Sequence, residues 1–245
     1  DTVKEFRLQK IAQPILQKSS LMPHTLNYLK SDYNKTLNAG KPSILLTFEN
    51  KDSASFSKGV KTYLKKGEDS KLHKRYKCKL REHWYVIPSV WKSEGFFSKR
   101  SNLIPKMALN KANVVVTDAF YRIRMKDGNK ISDLVFSFYN SLTLIFAELE
   151  GRYYGGSVLE LTPNEYKNLS IPYCPDVSTA QLNKLDSMLR DRASISNILT
   201  YTDQLILNKQ LGLSKQKTAR IKKIYFKLLR RRLKGTQLNK TINLG

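Results

Sequence analysis

The amino-acid sequence predicts an α+β fold, in which a body of mixed or antiparallel β-sheet with packed helices is followed by a helical C-terminal unit. Two observations indicate this class. Short segments between residues 41 and 124 are bounded by turns or alternate apolar and polar residues, as strands do. From residue 176 onward, apolar residues recur at helical spacing. We therefore expect two domains, a β-rich body at 1–175 and a helical subdomain at 176–245.

The first 70 residues alternate helical and extended patterns. "VKEFRLQKIAQPILQK" has apolar residues at roughly helical spacing, interrupted by Pro14. "KPSILLTFE" predicts a short strand between two turns, and "SFSKGVKTYLKKGED" predicts a short helix that ends at Gly67.

The middle of the chain predicts two further strand regions. In "RYKCKLREHWYVIP", apolar and basic residues alternate from Tyr76 until Pro88. In "ANVVVTDAFYRIRMKDGNK", the same period places Arg122 and Arg124 on one strand face, before a tight turn at Asp127-Gly128-Asn129.

Helices follow these strands. "ISDLVFSFYNSLTLIFAELEG" has the clearest helical period, with Ser132 as a possible cap and Gly151 as its end. A short strand, "VLEL", comes next, and Gly155-Gly156 before it permit a tight turn with positive φ. In the C-terminal unit, Gly212 and Ser214 separate two helices. The last helix is expected to bury four apolar residues on one face: Ile221, Ile224, Tyr225 and Leu228.

The charge of the chain indicates a polyanionic partner. Its 44 Lys and Arg against 20 Asp and Glu give a net charge of +24, although 40% of the residues are hydrophobic. Nucleic acid is the first candidate and an anionic membrane the second. No apolar run approaches the roughly 18 residues that span a bilayer, and the charged N-terminus does not resemble a signal peptide. We expect a cytoplasmic protein with two reduced cysteines and no membrane partner.

The histidines and cysteines of the sequence are candidate ligands for a zinc ion. His73, Cys78 and His83 lie close together, and Cys174 could complete a tetrahedral zinc site. Their spacing matches no zinc finger or ribbon. We therefore predict exposed histidines, small buried cysteines and no bound metal.

A nuclease is the natural enzyme for so basic a chain. Glu165 and Lys167 satisfy a Glu-x-Lys pattern, but Thr162-Pro163-Asn164-Glu165 also fits a helix capping box with proline at the first helical position. We predict that Glu165 caps a helix and does no chemistry. The sequence contains neither a phosphate-binding glycine loop nor a Gly-x-Ser-x-Gly elbow.

Cations and aromatic residues alternate in several segments, as in a nucleic-acid footprint: "KLHKRYKCKLREHWY", "FFSKRSN" and "YRIRMK". The C-terminal "RIKKIYFKLLRRRLKG" is either a DNA-contacting helix or a packed helix with a basic polar face. Charge patterning alone does not separate these two interpretations.

Four segments occur together in a familiar order: "GVKTYLKKGEDSKLHKRYKCKLREHWYVIPS", "NVVVTDAFYRI", "NSLTLIFAELEGRYYGGSVLELTPNEYKNLSIP" and "LNKQLGLS" before a basic helix. They resemble the C-terminal half of bacterial adenine-N6 DNA methyltransferases of the gamma class, from restriction-modification systems. The resemblance covers most of residues 55–235. One departure is Ser157, where this family often has a third glycine.

The resemblance implies a target recognition domain for duplex DNA. In that family a separate N-terminal half binds S-adenosylmethionine and carries an Asn-Pro-Pro-Tyr or Phe motif, and neither that motif nor a glycine-rich cofactor loop occurs here. We therefore expect no catalytic residue and no cofactor in this segment. S-adenosylmethionine is expected in the catalytic domain of the same polypeptide, which would be a partner in a bacterial, nucleoid-associated enzyme.

In this role the chain would hold DNA phosphates, read base edges and position an adenine for extrusion. The expected DNA-binding residues are Lys74, Arg75, Lys77, Arg81, Trp84, Lys99, Arg100, Arg122, Arg124, Arg152 and Tyr153. The alternatives are a metal-dependent nuclease and a stand-alone DNA-binding or RNA-binding protein.

Overall fold

The architecture is that of an α+β protein, as predicted, in a computed structural model that describes residues 2–126, 128–154 and 157–234. The helices in chain order are α1 (Thr2–Glu5), α2 (Lys30–Asn38), α3 (Lys58–Asp69), α4 (Tyr76–Lys79), α5 (Ile131–Phe138), α6 (Ser141–Glu150), α7 (Pro163–Lys167), α8 (Thr179–Arg190), α9 (Ile195–Asp203) and α10 (Lys215–Leu233). The strands are β1 (Ala12–Leu16), β2 (Ile44–Leu46), β3 (Gly95–Ser98), β4 (Arg100–Ser101), β5 (Met107–Leu109), β6 (Val115–Val116), β7 (Phe120–Ile123), β8 (Arg152–Tyr154) and β9 (Val158–Glu160).

These strands form three small sheets in the described part of the chain. Their orders are β2-β1-β6, β5-β3-β7 and β4-β9-β8. Only β1 and β6 run parallel, so the sheets are mixed or antiparallel as expected. Lys99 alone separates β3 from β4, and the chain therefore passes from the second sheet to the third at this residue.

The main hydrophobic core joins the second sheet to the helices. Phe97 of β3, Val135 of α5, Leu185 of α8 and Tyr225 of α10 belong to one buried cluster. Because this cluster contains side chains from both sides of residue 175, the C-terminal helices complete the core of the body. The division into domains at 1–175 and 176–245 stays a prediction.

The predicted single helix at 131–151 is two helices. The side chain of Asn140 accepts a hydrogen bond from the Thr143 N–H at 2.9 Å and starts α6 as its N-cap. The buried Tyr139 hydroxyl donates to the Met107 carbonyl at 2.8 Å and ties the break to β5. The apolar period continues through the break because both helices bury one side, so periodicity could not reveal it.

Two expected helix ends have different outcomes. Ser132 does not cap α5, because Lys130 holds the N-cap position and no side chain caps the helix there. Gly151 is the residue that follows α6, as predicted.

Gly128 has φ 74°, and the Asn129 N–H donates to the Lys126 carbonyl at 3.3 Å, as in a turn. Asp127, Gly155 and Gly156, which were also assigned to turns, lie outside the described residues.

The strand predicted from Tyr76 to Pro88 is wrong. This segment contains α4 and turns, and its Trp84 and Tyr85 rings pack against α3 instead of lying on opposite faces of a strand. Gly67 does not end α3, which continues to Asp69. A Cβ at Gly67 would lie 2.5 Å from Cη2 of Trp84, so the glycine is needed for this close approach.

The helical prediction for the N-terminal segment is wrong beyond α1. Residues 12–16 are β1, which pairs with β2 through Ala12–Pro14 and with β6 through Ile15 and Leu16. Pro14 thus faces a partner strand on one side only, which is where a residue without an N–H is tolerated. The strand predicted in "KPSILLTFE" is confirmed as β2.

The C-terminal helices are confirmed, with one shift of face. Gly212 has φ 66°, and Ser214 caps α10 by accepting from the Lys217 N–H at 3.3 Å. Of the four residues expected to be buried, Tyr225 is buried but Ile224 is 51% exposed. The face is shifted because α10 packs against α6 with a second set of side chains: Phe226, Leu229, Arg232 and Leu233.

Arg232 connects α10 to the rest of the fold. Its guanidinium forms two hydrogen bonds of 2.8 Å with the Glu148 carboxylate of α6, and the two side chains are 1% and 3% exposed. It also donates to the carbonyls of Asn102, Leu103 and Ser157 at 2.6–2.7 Å. Ser157 has φ 64°, a left-handed conformation that glycine adopts most easily.

We expect Arg232→Met to lower the free energy of unfolding by about 3–5 kcal/mol, because it leaves the Glu148 carboxylate buried without a partner. Chemical denaturation measures the change. Arg231→Met is the matched control on the exposed face of α10 and should change stability by less than about 0.5 kcal/mol. Adding Glu148→Met to Arg232→Met should recover part of the loss, and equal stability of Arg232→Met and wild type would contradict this role.

Candidate nucleic-acid interface

The predicted DNA-binding residues fall into two groups. Lys74, Arg75, Lys77, Arg81 and Trp84 lie around α4. The first three are exposed and the Arg81 side chain is partly buried. Trp84 packs against α3, with its ring 5.7 Å from that of Tyr85.

The α4 group borders an apolar cavity of about 1000 Å³ between α3 and β2. Leu46, Phe48 and Tyr63 are among its apolar lining residues, and Arg75 and Arg81 also line it. Exposed Tyr76 and Leu80 lie next to these cations. This group is therefore a basic surface with an apolar interior beside it.

The second group lies on the second and third sheets, and Trp91 is its organising residue. The guanidinium carbons of Arg122 and Arg124 lie 4.6 and 4.8 Å from the centre of the Trp91 ring. Arg122 also donates a hydrogen bond to the Ser89 carbonyl. The ring therefore holds both arginines through cation–π contacts. The sequence interpretation missed Trp91, although two arginines two residues apart on a strand can share one aromatic neighbour.

Lys99 is held over a stack of tyrosine rings. Its Nζ lies 4.9 Å from the Tyr121 ring centre, and Tyr121 stacks on Tyr166 at 5.0 Å. The Tyr121 hydroxyl donates to the Leu161 carbonyl at 2.9 Å. Burial raises the pKa of Tyr121 and raises that of Tyr166 to about 12, so both phenols are neutral at pH 7. The lysine charge thus sits on a neutral aromatic surface.

Arg100 and Arg152 have carboxylate partners. Both lie opposite Glu160 in the third sheet, on β4 and β8. Arg100 Nε is 3.1 Å from Glu160 Oε2, and Arg152 Nε is 2.5 Å from Oε1 of Glu165. Within residues 2–126, 128–154 and 157–234, no carboxylate lies within 4 Å of the charged groups of Lys99, Arg122 or Arg124. The positive charges of these three side chains are therefore available to an anionic partner.

Tyr153 completes the second group. It lies on β8, which is the edge strand of the third sheet, and its side chain is 53% exposed. Its neighbour Tyr154 is equally exposed. An exposed edge strand with two tyrosines is accessible to a partner.

A row of connected clefts joins these residues to cations that the sequence interpretation missed. The cleft beside Trp91 shares Lys99 with a second cleft, which shares Arg100 with a third, and the third shares His24 and Lys106 with a fourth. We call this row the basic groove. Its cationic lining residues are Lys18, Lys35, Lys99, Arg100, Lys106, Arg122, Lys167, Arg190 and Arg192.

The acidic residues of the basic groove are fewer. They are Asp32, Asp118 and Glu160. Arg190 pairs with Asp32, and Arg100 pairs with Glu160. The groove is therefore strongly positive, and no local sequence pattern could have assembled it from segments as distant as Lys18 and Arg192.

The two cysteines considered as zinc ligands lie in different parts of the structure. Cys174 packs against the main core, whereas Cys78 lines the cavity beside α4. The described residues contain no group of three or more His, Cys, Asp or Glu that could hold a metal ion. None of the helices in the described ranges is long and apolar enough to cross a bilayer.

Glu165 completes the capping box of α7, whose N-cap is Thr162, as predicted. Its Oε2 accepts the Thr162 N–H at 2.6 Å, and Pro163 occupies the first turn. The hydrogen bond from Thr162 lowers the pKa of Glu165 most; burial opposes it, and Arg152 adds to the lowering. The carboxylate is thus occupied by a backbone donor and a guanidinium, while Lys167 is exposed and lines the basic groove.

The comparison with known families is specific. The family model described as "Type II methyltransferase M.Eco57I, C-terminal domain" matches residues 1–207, which is most of the chain. The match includes both groups of candidate residues and all of the basic groove. No curated protein matches the sequence.

We expect Glu165→Ala to lower the free energy of unfolding by about 1 kcal/mol at pH 7, the size of a lost cap. Because the folded-state pKa of Glu165 is lowered, its charge stabilises the fold above its ordinary pKa, and this contribution is lost as the pH falls through the folded value. Thermal unfolding of wild type and variant should therefore converge at acidic pH. Glu165→Gln, which preserves the capping pattern, should lose less. A variant as stable as wild type at pH 7 would contradict the cap.

Proposed function

The chain belongs to the family of C-terminal domains of the type II methyltransferase M.Eco57I, and on this premise we propose that it is a duplex-DNA target recognition domain. The parent enzyme is a gamma-class adenine-N6 DNA methyltransferase whose catalytic domain belongs to the same polypeptide. This segment holds and reads DNA, and the catalytic domain transfers the methyl group.

The basic groove is the observation that carries this proposal. Nine cations line one row of clefts, against three acidic residues. Duplex DNA presents phosphates at regular intervals, and lysines and arginines that neutralise them displace condensed counterions. A groove that runs past several cations from separate segments of the chain fits such an extended polyanion better than it fits a small ligand.

Two kinds of contact follow from the geometry. Lys99 has a single flexible ammonium on an aromatic surface, which suits a phosphate. Arg122 and Arg124 are held in fixed planes on Trp91, and a fixed guanidinium can form two hydrogen bonds with guanine O6 and N7. We assign phosphate binding to Lys99 and base reading to Arg124, because Arg122 also donates to the Ser89 carbonyl.

S-adenosylmethionine does not fit the residues of this chain. A methyltransferase domain binds it at the crevice of an open parallel sheet. The one parallel pair in the described sheets joins two residues of β1 to two of β6, and the sequence has no glycine-rich cofactor loop. We therefore propose that the catalytic domain binds the cofactor and that this chain contributes DNA binding to the reaction.

The nuclease alternative is not favoured. Glu165, its proposed acidic residue, accepts a backbone hydrogen bond and pairs with Arg152. RNA binding, the other alternative, would use the same positive charge. Direct competition between duplex DNA and RNA decides between these two partners.

We expect the chain to bind mixed-sequence duplex DNA with an affinity that falls steeply as salt increases. Lys99→Ala should lower the slope of log affinity against log salt by about one, because one phosphate contact is lost. Fluorescence anisotropy at several salt concentrations measures this slope. Lys209→Ala is the control, since Lys209 is exposed and lies outside the basic groove. Tight RNA binding with indifference to duplex DNA would reject the proposal.

We expect Arg124→Ala to relax specificity at one base pair instead of weakening binding to all sequences. The loss of a bidentate contact to guanine should cost about 1–3 kcal/mol at that position. Selection from a randomised duplex pool, followed by sequencing, compares the sites enriched by wild type and variant. Enrichment of the same site to the same extent by both proteins would exclude Arg124 as a base-reading residue.

A further inference from the structure

Lys106 is a partly buried lysine without a counter-charge in the basic groove. Its ammonium donates one hydrogen bond, to the Met22 carbonyl at 3.0 Å. Within the described ranges no carboxylate lies within 4 Å of it. An ammonium has three donors, and a desolvated charge is costly unless it is paired. Lys106 therefore lacks an anionic partner among the described residues.

A histidine and an arginine of the same cleft interact electrostatically with Lys106. His24 and Arg192 border it together with Lys106. Burial, followed by the charges of Lys106 and Arg192, lowers the pKa of His24. Burial and then Arg192 lower the pKa of Lys106. The three groups are thus close enough for their protonated forms to repel one another, and His24 is neutral at pH 7, where it is a hydrogen-bond donor without a charge.

The nearby carboxylates are already paired with another arginine. Asp32 receives two hydrogen bonds of 2.9 Å from Arg190, and Asp186 receives one of 2.9 Å from the same guanidinium. Asp186 also accepts hydrogen bonds from Thr25 and from the Leu26 N–H, each at 2.7 Å. Because Asp32 and Asp186 already accept these hydrogen bonds, their carboxylates do not balance the charge of Lys106.

The position of Arg192 is also determined by the fold. It follows α8 with φ 54°, and its N–H donates to the Leu189 carbonyl at 3.2 Å. Ser20 lines this cleft and the two clefts before it, and it adds a hydroxyl donor beside the cations. Converging charged and hydroxyl donors are what a tetrahedral oxyanion requires.

We propose that Lys106, His24 and Arg192 form a binding site for one phosphate group. The site lies at the opposite end of the basic groove from Trp91. Where the proposed DNA function holds, the group is a backbone phosphodiester of the duplex. Inorganic phosphate presents the same chemistry and can be tested without DNA.

The first experiment measures phosphate binding by the full chain alone. Thermal unfolding is followed with increasing inorganic phosphate, against sodium chloride at equal ionic strength. We expect phosphate to raise the melting temperature of wild type, because a ligand that binds the folded state stabilises it. Lys106→Met should raise the melting temperature without phosphate and weaken phosphate binding roughly tenfold, the effect of a lost charge-assisted contact.

The control is Lys35→Met, since Lys35 lines the same cleft but is exposed on α2. It should change phosphate affinity by less than about twofold if the site is specific. Arg192→Gln, at an exposed position, provides a second variant in case Lys106→Met does not fold. No stabilisation of wild type by phosphate, or equal weakening by Lys35→Met and Lys106→Met, would overturn the proposal.

The second experiment identifies the source of the phosphate. With duplex DNA, Lys106→Met should lower the salt slope of binding by about one, as for a backbone contact. An unchanged slope together with lost phosphate binding would keep the site and assign it to free phosphate. If wild type binds phosphate but no duplex DNA, the proposed function fails while this site stands.

Discussion

The buried ion pair between Arg232 and Glu148 is the interaction on which the arrangement of the sheets depends. The Arg232 guanidinium joins α10 to α6. It also donates hydrogen bonds to carbonyls of the β4–β5 connection and of Ser157, which precedes β9. Five hydrogen bonds satisfy the whole guanidinium fork, which is the condition under which a buried charge is tolerated. The third sheet is thereby anchored to the helical core, and with it Arg100 and the adjacent Lys99.

Carboxylates of the chain pair with some of its cations and leave others without a counter-charge. Arg100 follows Lys99 in the chain and Arg152 lies on β8 of the third sheet, yet carboxylates of the chain compensate both. Lys99, Arg122 and Arg124 instead rest on aromatic rings, which fix their direction without neutralising them. At the other end of the groove, Lys106 pairs with neither a carboxylate nor an aromatic ring of the described residues. The cations behind the net charge of +24 are therefore of three kinds. Some are paired with carboxylates, some are held on aromatic rings, and Lys106 has neither kind of contact among the described residues.

Local patterns predicted those elements that local interactions determine. The capping box at Glu165 and the separation of two C-terminal helices at Gly212 and Ser214 depend on residues within a few positions of one another, and both are confirmed. The strand expected from Tyr76 was wrong because an alternating pattern does not show that Trp84 packs on Gly67 of α3. The break at Asn140 was missed because both of its helices bury the same kind of residue. Trp91 was missed because nothing near it in the sequence marks its arginine partners.

The sequence by itself determined the sign and size of the charge, the α+β class, the local caps and turns, and the resemblance to a methyltransferase C-terminal half. These depend on composition and on short-range order, which a single chain displays directly. Only the tertiary structure decided which cations are paired, since Arg190 meets Asp32 and Arg232 meets Glu148 across separations of 158 and 84 residues. Only folding brought Lys18, Lys99, Lys106 and Arg192 into one groove, because electrostatic contact depends on distance in space and not along the chain.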